Sequence, residues 1–228
     1  MLYDVVYPLK RVGGGFDELR YSLRSLTHFP HRNVHVVGGC PDWFSGNHIT
    51  TPVQCTNRYR DVVQNIAFAV LNPEVSDKFW LFNDDFFCLA PPRHEHPFHR
   101  GTLRELVSSS PHTPYMVAKG RLAVFLESLG FKDPLAFNTH TPLLVNKYDA
   151  KKALDQMPHT NWFGFRSVFG AFSHLEGIRT DDVKIPDIHT GLPREWSWVS
   201  SSDEAFRKGA LGRDLRSLFL DESPYEGG

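Results

Sequence analysis

Apolar residues along this chain fall into short blocks whose period alternates between that of a strand and that of a helix. Residues 2–8 (LYDVVYP) form a β-rich opening strand, and the glycine-rich segment 11–15 follows it. Over residues 16–27, Phe16, Leu19, Leu23 and Leu26 share one face of a predicted helix, with Glu18, Arg20 and Arg24 elsewhere. Val34–Val37 is a second strand ending in Gly38-Gly39. Residues 58–71 make a second amphipathic helix that turns Val62, Val63, Ile66 and Val70 to the core. Residues 79–87 then read Phe-Trp-Leu-Phe-Asn-Asp-Asp-Phe-Phe, the apolar run of a central strand passing into two adjacent carboxylates. This β-α-β-α-β order predicts an α/β fold: a mostly parallel, Rossmann-like sheet with right-handed crossovers and flanking helices.

The second half is less periodic. Residues 90–101 are rich in proline and histidine and read as a surface loop. Short helices are predicted at 103–107, 147–157 (stopped by Pro158) and 162–172, and a helix with a polar interruption at 203–220. Residues 177–197 read as loop. Neither an internal repeat nor a flexible linker divides the chain, so residues 1–228 are expected to form one domain with irregular C-terminal additions.

Composition narrows the class. With 41% hydrophobic residues, 18 Phe and 5 Trp, the chain can fill a sizeable core. A formal net charge of −1 leaves no electrostatic footprint for nucleic acid. Cys40, Cys55 and Cys88 are odd in number and lack metal-site spacing, so they read as buried thiols in a reducing compartment. The start of the chain has neither the basic region nor the apolar run of a signal peptide, and no window is long enough for a transmembrane segment. A cytoplasmic location is the expectation.

Two acids at the carboxyl end of a central strand stand where open α/β sheets bind ligands. They repel each other and lose hydration unless a cation or a reaction uses them. The simpler alternative is a turn at Asn83-Asp84 with Asp85 capping a backbone amide. Gly13-Gly14-Gly15 lies between a strand and a helix, where backbone amides can hold phosphate, but it matches neither the dinucleotide fingerprint nor the P-loop. His94-Glu95-His96 with His99 could ligate a metal, although the surrounding sequence reads as a solvated loop. His140, expected just after a strand, is flanked by hydroxyl residues. Arg166, in an aromatic segment, is either a buried salt-bridge partner or an anion clamp.

In combination and in order, these pieces resemble the Stealth family of sugar-phosphate transferases, which includes bacterial capsule polymerases and the enzyme that attaches N-acetylglucosamine-1-phosphate to lysosomal glycoproteins. Asp4-Val5-Val6-Tyr7 resembles its opening strand, and Glu18-Leu19-Arg20-Tyr21-Ser22-Leu23-Arg24-Ser25-Leu26 its first helix, followed by Val36-Val37 and Pro41-Asp42-Trp43. Phe82-Asn83-Asp84-Asp85-Phe86-Phe87 is similar to the Asn-Asp-Asp core of the second block. His140-Thr141-Pro142 through Phe165-Arg166-Ser167 resembles the third, and Ser202-Asp203 with Ser223-Pro224-Tyr225-Glu226 the fourth. Two departures stand out. The family's acidic Trp-Val-Asp-Gly-Ser-Asp motif is replaced by residues 8–15 (PLKRVGGG), and its Asn-Asp pair by Ser202-Asp203.

The resemblance implies a GT-A-like nucleotide-sugar transferase moving a sugar 1-phosphate from a nucleotide-diphosphate sugar to an acceptor hydroxyl on a glycan, polysaccharide, lipid or protein, assisted by Mg²⁺ or Mn²⁺. It implies catalytic roles for Asp84, Asp85, His140 and Arg166, and metal ligation by Asp84, Asp85 and Asp203. Of the two adjacent acids, one would hold the metal and the other deprotonate the acceptor. Lys10, Arg11, Gly13, Gly14, Arg20, Asn83 and Ser202 are the expected substrate-binding residues. Two alternatives stay open: a metal-dependent glycosyltransferase that moves the sugar itself, and a non-catalytic binding module derived from such an enzyme.

Overall fold

The structure, a computed structural model, describes residues 2–10, 16–52, 58–91, 97–157 and 164–227. Arg11, Gly13, Gly14, Cys55, His94, Glu95 and His96, and the first residues of the helix predicted at 162–172, lie outside the described residues. The central sheet contains β1 (Asp4–Leu9), β2 (Val34–Gly38), β3 (Asn47–Ile49), β4 (Lys78–Leu81) and β7 (Leu143–Asn146), in spatial order β3-β2-β1-β4-β7. The first four strands are parallel, and β7 closes the edge antiparallel to β4. This is the mixed α/β, mostly parallel arrangement expected, and the 3-2-1-4 order is that of a Rossmann-like sheet.

Side-chain alternation along the strands fills two cores. From β1, Val6 joins one core, whereas Val5, Tyr7 and Leu9 enter the other. Phe79 and Leu81 of β4 pack with Val6, against α2 (Arg58–Leu71) and its buried Val63, Ile66 and Val70. The opposite face receives Leu19 and Leu23 from α1 (Asp17–Ser25), then Leu26 and Phe29. A helix on each side of the sheet follows from the reversal of strand order at β1, where the chain winds outward to β3 and then returns to β4 on the other side.

After β4 the chain turns at Asp84-Asp85 and leaves the sheet as β5 (Phe86–Cys88). The apolar run 79–87 is therefore two strands in different sheets, because Phe86 N–H closes the turn onto the Asn83 carbonyl at 3.3 Å. β5 pairs antiparallel with β10 (Trp198–Ser201), which is flanked in parallel by β9 (Lys184–Ile185). The two-residue strands β6 (Phe98–His99) and β8 (Ile178–Arg179) also pair in parallel, within stretches expected to be loop.

Helices α3 (Leu103–Ser108), α4 (Pro114–Ser128), α5 (Lys147–Gln156) and α6 (Phe165–Phe172) complete the first core. The sequence pattern does not reveal α4, because its apolar residues are spread around the helix and Gly120 interrupts it; its start is set by Thr113, whose hydroxyl accepts from Met116 N–H at 3.3 Å. The helix expected over 203–220 is two: α7 (Asp203–Lys208) and α8 (Ala210–Leu218), separated at Gly209, whose backbone is extended. Among the described residues no helix is long and apolar enough to cross a membrane.

Candidate active site

The switch point of the sheet lies between β1 and β4, and the acidic turn follows β4 at its carboxyl end. That end is held firmly. Asn65 on α2 donates to the Leu9 carbonyl at 2.7 Å, as does Gly39 N–H at 3.1 Å. Gly38, at φ +99°, lets the Asn65 amide approach; a Cβ there would sit 2.3 Å from it. Lys10 leaves this end exposed to solvent.

Helix α1 accounts for its own unusual pattern of residues. Ser22 Oγ donates to the Phe86 carbonyl at 2.5 Å and contacts Tyr7 Oη at 2.9 Å, while Ser25 Oγ accepts from Cys88 N–H at 3.0 Å. These two buried serines fasten the helix to β5, the strand that leaves the acidic turn. Arg20 and Arg24, one turn apart, grip the buried Glu226 carboxylate at 2.7 and 2.8 Å, and the Arg20 guanidinium stacks 4.3 Å from the Trp43 ring. Arg20, expected to bind substrate, is thus placed on the C-terminal segment. Ser202, also expected there, caps α7: its hydroxyl accepts from Ala205 N–H at 3.1 Å and donates to the Pro186 carbonyl at 2.9 Å.

The remaining residues converge. Asp85 Oδ2 accepts from Lys184 Nζ and from Ser200 Oγ, each at 2.9 Å. Glu18, in the first turn of α1, accepts from Ser201 Oγ at 2.7 Å. Asp203 opens α7 immediately beyond β10. Four carboxyls therefore share one region. Burial, then repulsion by Asp85, pushes Asp84 up to about 6, with Asp203 adding to it and Lys184 opposing. Burial pushes Glu18 up to about 7, with Asp84, Asp85 and Asp203 adding repulsion against the favourable Ser201 bond. Glu18 was not among the sequence candidates. Its helical position assigns it to a polar face, and only the start of α1 beside the end of β4 brings it to the acids.

His140 lies before β7 rather than after a strand. Its Nδ1 is 2.8 and 2.9 Å from the two oxygens of Asp182, and Asp182 Oδ2 is in turn 3.5 Å from Arg100. Burial alone would raise the Asp182 carboxyl, but the imidazole hydrogen bond and nearby positive charge hold it below its usual range. With Nδ1–H committed to Asp182, the neutral ring presents Nε2 as an acceptor. Arg166, in the first turn of α6, donates to the carbonyls of Thr141 at 2.5 Å and Leu81 at 3.2 Å. Burial lowers it to about 10, and the Asp85 charge partly offsets this. Both side chains meet Phe86, the residue after the acidic pair: the imidazole lies edge-on at 6.3 Å and the guanidinium sits 5.3 Å from the ring centre.

The donor set suits Mg²⁺ or Mn²⁺ in one mode. Among the described residues no three His, Cys, Asp or Glu side chains are grouped to hold a metal, so the expected set Asp84, Asp85 and Asp203 does not form a protein cage. Asp85 also has one oxygen occupied by Lys184 and Ser200. Mg²⁺, however, is commonly held by one or two carboxylates with substrate phosphate and water. Burial is the first cause that raises the Asp84 and Glu18 carboxyls, and repulsion among the neighbouring acids adds to it; a cation would relieve that repulsion, which fits that mode.

Both carboxyls titrate above their unfolded values, so the stability they contribute is fully present below about pH 4. It is lost as the pH rises through about 6 and 7, where these groups ionise in the fold. Glu18→Gln keeps an acceptor for Ser201 and removes one repelling charge. We expect it to raise stability at pH 8 by about 2 kcal/mol, or roughly 4–8 °C in Tm, with a smaller gain at pH 5.5. Thermal unfolding at the two pH values checks this; an unchanged or lower Tm at pH 8 would contradict it.

No known family model matches the chain, and no curated protein sequence matches it either.

Proposed function

We propose that this protein transfers a sugar 1-phosphate from a nucleotide-diphosphate sugar to an acceptor hydroxyl, on a GT-A-like variant of its Rossmann-like sheet. The observation that carries this reading is the meeting of the His140–Asp182 pair and Arg166 on Phe86, next to the acidic turn at the switch point. The order of the motifs, which resembles that of the Stealth family, supports it as well.

In the proposed step, the acceptor oxygen attacks the phosphorus next to the sugar. A new O–P bond forms, the bridging P–O bond breaks, and nucleoside monophosphate departs with the electron pair. His140 Nε2 takes the hydroxyl proton, held in the correct tautomer by Asp182. The base is thus assigned to His140 instead of an aspartate, because Asp85 is engaged by Lys184 and Ser200. Arg166 offers a fixed positive charge to phosphate oxygens, where most of the stabilisation in phosphoryl transfer arises. Asp84, with Asp203 near it, would hold Mg²⁺ or Mn²⁺, which when bound neutralises phosphate charge. The acceptor is a hydroxyl of a glycan, polysaccharide, lipid or protein.

A panel of nucleotide-diphosphate sugars, incubated with the protein, Mg²⁺ and a cell extract as acceptor source, tests this by chromatography of the released nucleotide. Nucleoside monophosphate is expected. Diphosphate release would move the attack to the anomeric carbon and make the protein a glycosyltransferase.

A further inference from the structure

Lys184 belongs to none of the motifs that carry the resemblance, yet its ammonium stands against the central acid. Its backbone is fixed on both sides: Ser200 N–H donates to the Val183 carbonyl at 3.1 Å and Ser202 N–H to the Ile185 carbonyl at 3.1 Å, in the β9–β10 register that sets Lys184 opposite Ser200. The side chain then spans to Asp85 Oδ2 at 2.9 Å. An ammonium has three donors. Among the described residues Asp85 accepts one of them, and the side chain remains 31% exposed while that of Asp85 is 15% exposed.

A purely structural ion pair would complete the local charge balance. This one does not, because Glu18, Asp84 and Asp203 lie within electrostatic reach of the same turn. A diphosphate brought to this end of the sheet meets repulsion from the acids and attraction from Lys184 and Arg166, the two cations coupled to them. A lysine with unspent donors is a point-charge phosphate binder, whereas Arg166 is tied to two backbone carbonyls and supplies mainly field.

We propose that Lys184 is a phosphate-contacting residue, bridging Asp85 and the diphosphate of the nucleotide donor. This rests on the function proposed above and adds to it the residue that receives the donor's charged group. Lys184 keeps its bond to Asp85 and turns its remaining donors to phosphate oxygens, so diphosphate affinity depends on this side chain even without a divalent ion.

The test is calorimetric titration with UDP, GDP, ADP and CDP in EDTA, each paired with its nucleoside. Wild-type protein is expected to bind at least one diphosphate. Lys184→Met should weaken that binding 10- to 100-fold, Lys184→Arg should stay within about five-fold, and nucleoside binding should be unchanged. Ser200→Ala removes the other contact to Asp85 but keeps the ammonium, and should stay within about three-fold. Should Lys184→Met fail to fold, Lys184→Gln, which retains a hydrogen bond to Asp85, gives the same reading. Equal diphosphate affinity in wild type and Lys184→Met would overturn the Lys184 assignment alone. Equal weakening by Ser200→Ala and Lys184→Met would also overturn it, showing a lysine that only positions Asp85. Absence of binding of all four diphosphates to the folded wild type in EDTA would overturn the Lys184 assignment, and absence of binding with Mg²⁺ present as well would overturn the proposed function too.

Discussion

His140→Ala should lower kcat for sugar-phosphate transfer by 10²- to 10⁴-fold while changing the donor KM by less than about three-fold. The range is that of a positioned general base, equivalent to about 2.7–5.5 kcal/mol of transition-state stabilisation. The kcat–KM split follows from geometry: the imidazole is held by Asp182 and packs edge-on against Phe86, so its loss removes a proton acceptor and no donor contact. Asp182→Asn should give a smaller loss in kcat, about 10- to 100-fold, because an amide can still accept from Nδ1–H but does not stabilise the imidazolium that forms. Steady-state kinetics on both variants, with circular dichroism to verify folding, checks the assignment. A folded His140→Ala variant with wild-type kcat would contradict it.

The largest effect on stability is expected far from this site. Asp4, fully buried at the start of β1, accepts a two-pronged bond from Arg32 at 2.8 and 2.8 Å, together with Ser76 N–H at 2.8 Å and Asn33 N–H at 3.1 Å. His35 Nε2 lies 3.3 Å from the same carboxylate. Burial alone would raise the Asp4 carboxyl, but the Arg32 fork, the Ser76 amide and the His35 charge bring it down to about 2. Asp4→Ala removes the acceptor shared by the half-exposed Arg32 and the Ser76 and Asn33 amides, leaves the buried His35 beside a void, and should cost about 3 kcal/mol, a large share of a typical domain's total. The pH dependence has a definite sign. A depressed carboxyl contributes stability above its unfolded value near 4 and loses it as the pH falls towards 2, a change of about 2 kcal/mol for this group. Urea denaturation at pH 7 measures the first effect, and the same series from pH 4.5 to 2.5 the second. A loss below 1 kcal/mol, or an acid dependence unchanged in Asp4→Asn, would contradict the account.

The first half of the fold is readable in the sequence because it is built from local periodicity. Val62, Val63, Ile66 and Val70 repeat at helical spacing and pack into one core, as expected, and Leu19, Leu23 and Leu26 do so in the other. The acidic turn is also legible, since two carboxylates after an apolar run stand out without any knowledge of partners. What surrounds the turn is not. Lys184 is 99 positions from Asp85 and comes from a two-residue strand paired with its neighbour β10, so no local pattern marks it. Asp182 pairs with His140 across 42 positions, from a stretch that reads as loop. Arg20 shows the converse. It carries the charge of an anion binder, but a glutamate 206 positions away takes it, and only the closing of the C-terminal segment over α1 makes that contact.

The proposal stands or falls on which bond of the donor breaks. A nucleotide-diphosphate sugar carrying a radioactive label in the phosphate next to the sugar decides this in one turnover assay, with His140→Ala as the control. If the label moves with the sugar into acceptor material and the variant fails to move it, attack occurs at phosphorus, as proposed. If the label stays with the nucleotide while the sugar is transferred, or if the folded wild type transfers neither, the assignment as a sugar-phosphate transferase is wrong.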